Sequence, residues 1–342
     1  MSTSLSTLRI LRLAFGNNTK ALLTRVVPAT QQSFTTSYPV LMATPVDDDK
    51  KLSTTVYTRK GKLQSAINVS PKERTSPEVP ETNKMEDLTT LSDETFKKLP
   101  TTVQSMTVKD KVIIITGGAR GLGNCMAKAC AEAGARAIVL FDSNQELGDA
   151  SATSLHEKTS LPVAFYKEKF GTPDVLINAA GIADSNIPAE TYDATMFRRL
   201  VDINLTGSFL MSQAVGRAAI AAGKRASIVL VASMSGSIVN YPQEQSCYNA
   251  SKAGVVHLGR SLAAEWAKYN IHVNCISPGY MDTALNKVPA LEAQKEIWKS
   301  LTPQQRLGNV DELNGLCVFL ASDASSFMTG ANCVIDGGYS LY

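Results

Sequence analysis

From about residue 106 onward the chain alternates short, nearly continuous apolar runs with longer segments of helical periodicity. The runs are KVIIIT (111–116), ARAIVLFD (135–142), LPVAFYK (161–167), PDVLINAAG (173–181), SIVLVAS (227–233) and IHVNCIS (271–277). Apolar residues at consecutive positions predict strands buried on both faces, as in a parallel sheet covered by helices. Between the first two runs, the pattern Leu122 to Ala133 is helical and stops at Gly134, a natural C-terminal cap. The expected architecture is α/β, a doubly wound parallel sheet in a single domain spanning 106–342. The longest apolar runs, Val112 to Ile115 and Ile228 to Ala232, are far shorter than the roughly 20 residues that cross a bilayer, so no membrane association is expected.

The residues before this domain differ from it in composition. Residues 1–46 contain Arg9, Arg12, Lys20 and Arg25, many Ser and Thr, and no acidic residue before Asp47. Leu5, Leu8, Leu11 and Phe15 fall near helical spacing opposite Arg9 and Arg12, which predicts a mitochondrial presequence; a plain extension on a cytoplasmic protein is the alternative. Residues 47–105 mix charges with recurring prolines and bury too little apolar surface to offset chain entropy, so a disordered linker is expected there. Among 342 residues 44% are hydrophobic and 19% charged, which excludes a wholly disordered, collagenous or disulfide-scaffold protein. A net charge of +3 provides no broad basic field for nucleic acid. The six cysteines all lie beyond residue 120 without a C-x-x-C pair, and there are three histidines, so neither disulfides nor a metal site is expected.

The first strand runs straight into TGGARGLG, which places Gly117, Gly121 and Gly123 between a strand and a helix. Such a turn lets the backbone approach a pyrophosphate and lets the helix offer free N–H groups to it, so a dinucleotide cofactor is expected. Asp142 ends the second strand, where a carboxylate either receives the adenosine ribose hydroxyls or caps the next helix. As a ribose acceptor it would repel a 2′-phosphate and favour NAD; Arg120, in the glycine turn, would pair with that phosphate and favour NADP. NAD is the expected cofactor, with NADP possible.

In order along the chain come TGGARGLG, NAAG (Asn178 to Gly181), Asn204 in DINLTGSF, Ser233, the Tyr248-Asn-Ala-Ser-Lys252 motif and SPGYMDT (277–283). Together these resemble the short-chain dehydrogenase/reductase family over essentially all of 106–342. The resemblance implies a Rossmann-type fold, a homodimer or homotetramer, and hydride exchange between nicotinamide and a carbonyl or alcohol. Tyr248 and Lys252, four apart on a helix, share one face. A free phenol titrates near 10, and a neighbouring cation is expected to lower that value, making Tyr248 the general acid in reduction and the base in oxidation. The resemblance further implies that Lys252 holds the nicotinamide ribose, that Ser233 polarises the substrate oxygen, and that Asn204 anchors a water. Ser235 is the alternative to Ser233, because the gap to Tyr248 is two residues longer than in many relatives. Asn178 and Gly181 are expected to brace the sheet and line the cofactor, and Pro278, Gly279 and Thr283 to cradle the carboxamide. Cys247, His257 and His272 read as packing residues.

The segment from Ala232 to Thr283 is most similar to fungal polyol and ketose members of that family. A sugar alcohol of the arabinitol type and its ketose are therefore the expected substrates. Asn286, Lys287, Gln294, Lys295 and Trp298, in the segment where the family keeps its substrate lid, suit a hydroxylated ligand, and solvent exposure explains them equally well. A 3-oxoacyl carrier-protein reductase is the alternative. The sequence departs from the family at one place: EKFGT (168–172) alone joins the third strand to PDVLINAAG, so the usual crossover is missing. Parallel neighbours need about a dozen linking residues, and five drawn taut span only about 20 Å, so the two strands are not expected to keep both usual places. That leaves a truncated splice or gene-model form, an enzyme with a displaced edge strand, or a catalytically impaired partner subunit.

Overall fold

The computed structural model describes residues 88–165, 171–283 and 291–342. The apolar runs become strands β1 (Val112–Thr116), β2 (Ala137–Phe141), β3 (Val163–Phe165), β4 (Val175–Asn178), β5 (Ala226–Val231) and β6 (Ile271–Pro278). A seventh strand, β7 (Asn332–Ile335), completes one sheet in the order β3-β2-β1-β4-β5-β6-β7, with every neighbouring pair parallel. The direction of winding reverses between β1 and β4, and in such sheets the crevice beyond the strand ends at that reversal is where ligands bind.

Nine α-helices are described in chain order: α1 (Asp93–Lys98), α2 (Thr101–Ser105), α3 (Gly121–Glu132), α4 (Gln145–Thr159), α5 (Ala194–Val201), α6 (Gly207–Ala222), α7 (Ser246–Trp266), α8 (Glu292–Leu301) and α9 (Asn314–Ala321). Because successive strand residues face opposite sides, Ile113, Ile115, Ile138 and Leu140 pack against Met126 and Cys130 of α3, Leu155 of α4 and Cys317 and Leu320 of α9. Across the sheet, Leu176, Ile228 and Leu230 pack against Val215 and Ala219 of α6 and Val255 and Leu262 of α7. Each fully buried aliphatic side chain contributes about 1.5–3 kcal/mol relative to exposure. These two layers therefore hold the strand ends, and whatever they carry, in fixed positions. The six cysteines are free thiols, all buried except the half-buried Cys333. Among the described residues no helix is long and apolar enough to cross a membrane, and no group of His, Cys, Asp and Glu could hold a metal ion.

Two expectations need correction. The domain begins by Leu88 rather than Met106: α1 and α2 lie within the expected linker 47–105, Leu88 packs on the first core layer, and Leu91 N–H donates to Glu132 O at 3.2 Å. The charge mixture that resembled a linker is here a capped helix. Ser92 Oγ accepts from Thr95 N–H at 3.1 Å, Asp93 and Glu94 occupy the first turn, and Lys97 and Lys98 the last, which complements the helix dipole. The expected presequence, residues 1–46, and the expected linker before Leu88 lie outside the described residues.

The second correction concerns β3 and β4, which both occupy their usual places, with Leu140 opposite Phe165 and Ile113 opposite Val175. The third strand is described over Val163–Phe165, and nine residues, 166–174, separate it from β4, a length that reaches about 30 Å when extended. The lateral shift of three strand spacings is about 14 Å. The path of the connection falls on residues 166–170, outside the described residues.

Candidate active site

The cofactor half of the crevice starts where β1 turns into α3. Gly117 holds φ +66°, and a Cβ there would lie 2.9 Å from Ala180 N at the end of β4. Gly123 faces the other way, and a Cβ on it would collide with the Gly117 carbonyl, so the helix can sit on the turn only because both residues lack side chains. Gly121, at φ +59°, has open space around it. The N-cap of α3 is Arg120, which offers no side-chain hydrogen bond, and the first turn carries no acidic residue. Unsatisfied N–H groups therefore meet free space, which fits a pyrophosphate. Asp142, just beyond β2, accepts from Ala119 N–H at 3.2 Å and from Asn144 N–H at 3.1 Å. The cap of α4 is Asn144, whose Oδ1 accepts from Leu147 N–H at 2.9 Å, so Asp142 is not the helix cap. It ties the glycine turn to the end of β2. Arg120 is exposed at the rim.

The β4 end closes the other side. Thr116 Oγ1 donates to Asn178 Oδ1 at 2.6 Å, and Asn178 Nδ2 donates to Ser208 O at 3.2 Å, so Asn178 braces β1, β4 and α6. Gly181 lies where a Cβ would come 3.2 Å from Asn204 Oδ1 and 3.6 Å from Lys252 Nζ. Asn204 sits in a π-helical turn (Asp202–Thr206) between α5 and α6, a distortion often found at functional sites. Its side chain holds Ile182 through N–H and C=O at 2.9 Å each and donates to Ser251 Oγ at 3.0 Å. Ser208 Oγ donates to its carbonyl at 2.6 Å. At the far side β6 ends in Pro278, Gly279 N–H donates to Ile335 O at 2.8 Å, and Thr283 N–H donates to Met281 O at 2.8 Å.

Between these walls stands the N-terminal part of α7. Tyr248 and Lys252 lie one turn apart, with the ammonium 5.7 Å from the ring centroid. Lys252, 6% exposed, donates from Nζ to Val231 O at 2.8 Å. Burial lowers its pKa to about 8, leaving it mainly cationic near neutrality. Burial pushes the Tyr248 phenol above its usual value, opposed by a hydrogen bond with Ser233. The shift has the opposite sign to the one expected from a neighbouring ammonium, because desolvation of the phenolate outweighs the other influences. A phenol so held is a proton donor.

Ser233 is the hydroxyl that reaches Tyr248. Its Oγ donates to Ser235 Oγ at 3.0 Å, while Ser235 is buried and receives Gln245 Nε2 at 3.3 Å. Ser235 therefore lies behind Ser233. Cys247 is buried with its thiol 3.5 Å from Phe197 O, His272 is buried in β6, and His257 is exposed on α7. Of the polar residues expected over the site, Lys295 pairs with Glu292 at 2.7 Å, while Asn286 and Lys287 lie outside the described residues. Gln294 and Trp298 converge on Gln243, and Gln243 and Asn240 converge on Tyr280. Asn240, Gln243 and Tyr280 were not singled out from the sequence. The only available signal was the unusual density of amides between Ser233 and Tyr248.

Comparison with known proteins agrees with this geometry. Residues 117–340 match the family model described as enoyl-(acyl carrier protein) reductase. D-arabinitol 2-dehydrogenase [ribulose-forming] of Candida tropicalis is 41% identical over 272 residues, covering 70% of this chain and 96% of that protein. NADP-dependent mannitol dehydrogenase of Hypocrea jecorina is 39% identical over 252 residues, covering 68% and 93%. The solved structure of a short-chain type dehydrogenase/reductase from Mycobacterium marinum superposes with a TM-score of 0.66 at 34% identity, covering 71% of this chain and all of the other. The chain belongs to the short-chain dehydrogenase/reductase family. It is an oxidoreductase that acts on CH–OH groups with a nicotinamide cofactor, and its curated relatives include dehydrogenases of sugar alcohols.

Proposed function

We propose that the chain interconverts a sugar alcohol and its ketose, using Ser233, Tyr248 and Lys252 as reacting groups. The observation that carries this reading is the buried Lys252 ammonium 5.7 Å from the Tyr248 ring, one helical turn away, with Ser233 acting on the phenol. When bound, the dihydronicotinamide supplies the hydride for the carbonyl carbon. Ser233 Oγ and Tyr248 Oη both donate to the carbonyl oxygen, and the phenol proton passes to it as charge develops. Lys252, as an ammonium 5.7 Å from the ring, steadies the resulting phenolate electrostatically, and the phenolate regains its proton from solvent. In oxidation each transfer reverses, so that direction requires the phenolate and gains rate as pH rises. Asn204 keeps Gly181–Ile182 and α7 in register, which holds the nicotinamide side of the crevice open.

The polyol reading is supported by the names of the relatives and by the amides that line the crevice beside Ser233. NADP is the proposed cofactor, a change from the NAD expected on weighing Asp142 against Arg120. Both carboxylate oxygens of Asp142 already accept backbone N–H groups, Arg120 stands exposed at the rim, and one relative is described as NADP-dependent. Met196 and Phe197 of α5 and Phe209 and Leu210 of α6 are large apolar side chains left exposed, which supports self-association as a homodimer or homotetramer. The test is oxidation of NADPH by the purified chain with D-ribulose or D-fructose, followed at 340 nm. Tyr248→Phe should lose turnover by a factor of about 10³ or more while still binding the cofactor. Retained turnover in this variant, or no reaction in the parent with either cofactor, would defeat the proposal.

A further inference from the structure

A ladder of side-chain amides crosses the mouth of the crevice, and its bonds weaken from the inside outward. At the inner end Trp298 Nε1 donates to Gln243 Oε1 at 3.0 Å, and Gln243 Nε2 and Asn240 Nδ2 donate to Tyr280 Oη at 2.8 and 2.9 Å. Tyr280 also stacks on Trp298, with ring centroids 4.2 Å apart and planes 6° from parallel. Gln243 and Trp298 are buried, so this end is a scaffold that fixes α8 beside the loop joining Ser233 to Tyr248. The next rung, Gln294 Nε2 to Gln243 Oε1, measures 3.2 Å. At the outer end Asn186 Nδ2 reaches Gln294 Oε1 at 3.4 Å and Gln294 Nε2 reaches Asn186 Oδ1 at 3.5 Å. Bonds of that length are near the limit of hydrogen bonding and are readily exchanged.

The placement of Asn186 is also specific. It sits in the loop after β4 with φ +58°, an uncommon conformation for a residue with a side chain, although asparagine tolerates it. Its neighbour Ile187 donates N–H to Glu244 O at 3.2 Å, and the same loop starts at Gly181–Ile182, which is held by Asn204 next to Lys252. Gln294 approaches from α8 on the opposite wall. The two amides thus meet across the crevice, anchored on one side to the Lys252 region and on the other to the Ser233–Tyr248 loop.

We infer that Asn186 and Gln294 are the specificity-determining pair, exchanging their long mutual bonds for hydroxyls of the polyol remote from the reacting carbon. An amide offers two donors and one acceptor oxygen, and a hydroxyl offers one donor and two lone pairs, so two facing amides match the hydroxyls of an extended polyol. Carbonyl substrates without such hydroxyls gain nothing from the exchange. This assignment rests on the polyol reading above.

The test compares KM for D-ribulose with KM for cyclohexanone, using the full chain with saturating cofactor. Asn186→Gly keeps the left-handed backbone without strain, and Gln294→Met keeps side-chain length and helix propensity, so both variants should fold. Each should raise the ratio of KM for ribulose to KM for cyclohexanone by about tenfold, the loss expected for one or two hydrogen bonds to neutral hydroxyls. An unchanged ratio, including a parallel rise of both constants through displacement of α8, would overturn the assignment. A parent enzyme that reduces cyclohexanone but no ketose would overturn the polyol reading itself, and this inference with it.

Discussion

Replacing Lys252 with methionine should stabilise the domain at neutral pH while removing its activity. The side chain is 6% exposed, and its one hydrogen bond acceptor is Val231 O, so the ammonium is held largely by desolvated surroundings. Its pKa falls from 10.5 in the unfolded chain to about 8 in the folded one. Because the unfolded chain binds the proton more tightly, the penalty is fully present below pH 8 and disappears as pH rises from 8 to 10.5. Its full size is about 3 kcal/mol, at 1.36 kcal/mol per pKa unit. Methionine has similar length and no charge, but it leaves the Val231 carbonyl without the lysine donor, a cost of about 1–3 kcal/mol. The net gain at pH 7 is therefore smaller, about 1 kcal/mol. The pH dependence is cleaner, since that carbonyl does not titrate. Between pH 7 and 9 the parent should gain about 1 kcal/mol relative to Lys252→Met. Urea midpoints for both proteins at half-unit pH steps measure this directly. A stability difference that is flat from pH 7 to 9.5 would refute the claim that Lys252 is a desolvated cation.

Ser233→Ala should lower kcat by about 10²–10³ with little effect on cofactor affinity, as expected for a donor lost from the developing oxyanion, whereas Ser235→Ala should cost less than tenfold. Equal losses in steady-state assays would show that the two hydroxyls share the role. Gly123→Ala should destabilise the domain by about 1–3 kcal/mol and weaken cofactor binding, since its Cβ would meet the Gly117 carbonyl and backbone cannot yield as a side chain can. Gly121→Ala, whose Cβ has free space and only the φ of +59° to oppose it, should cost less. Urea denaturation with cofactor fluorescence titration ranks the two, and the reverse order would contradict this account of the turn.

The central strands were legible because burial on both faces leaves a continuous apolar run in the sequence, as in Val175–Asn178 and Ala226–Val231. Strands at the margins were not. β7 mixes Asn332 and Cys333 with Val334 and Ile335 and is only half-buried, so its strand character comes from pairing Cys275–Pro278 with Asn332–Ile335. β3 is described only over Val163–Phe165, so counting the whole apolar run 161–167 as strand leaves five linking residues where nine separate the described strands. At the site, Tyr248 and Lys252 could be paired from spacing alone, because four residues on a helix bring side chains to one face wherever the helix lies. Ser233 could be separated from Ser235 only by seeing which hydroxyl meets the phenol.

What the sequence determined by itself follows from local geometry: the alternation of strands and helices, the glycine turn entering α3, and the helix that carries the tyrosine and lysine. What tertiary structure decided depends on surroundings that no short segment contains. The phenol is raised instead of lowered because desolvation is a property of everything packed around it. Asp142 fastens the glycine turn instead of capping a helix because Ala119 lies above it. The amides that face one another, with Tyr280 and Trp298 between them, come from four separate parts of the chain, at 186, 240–243, 280 and 294–298, and only tertiary folding brings those parts together.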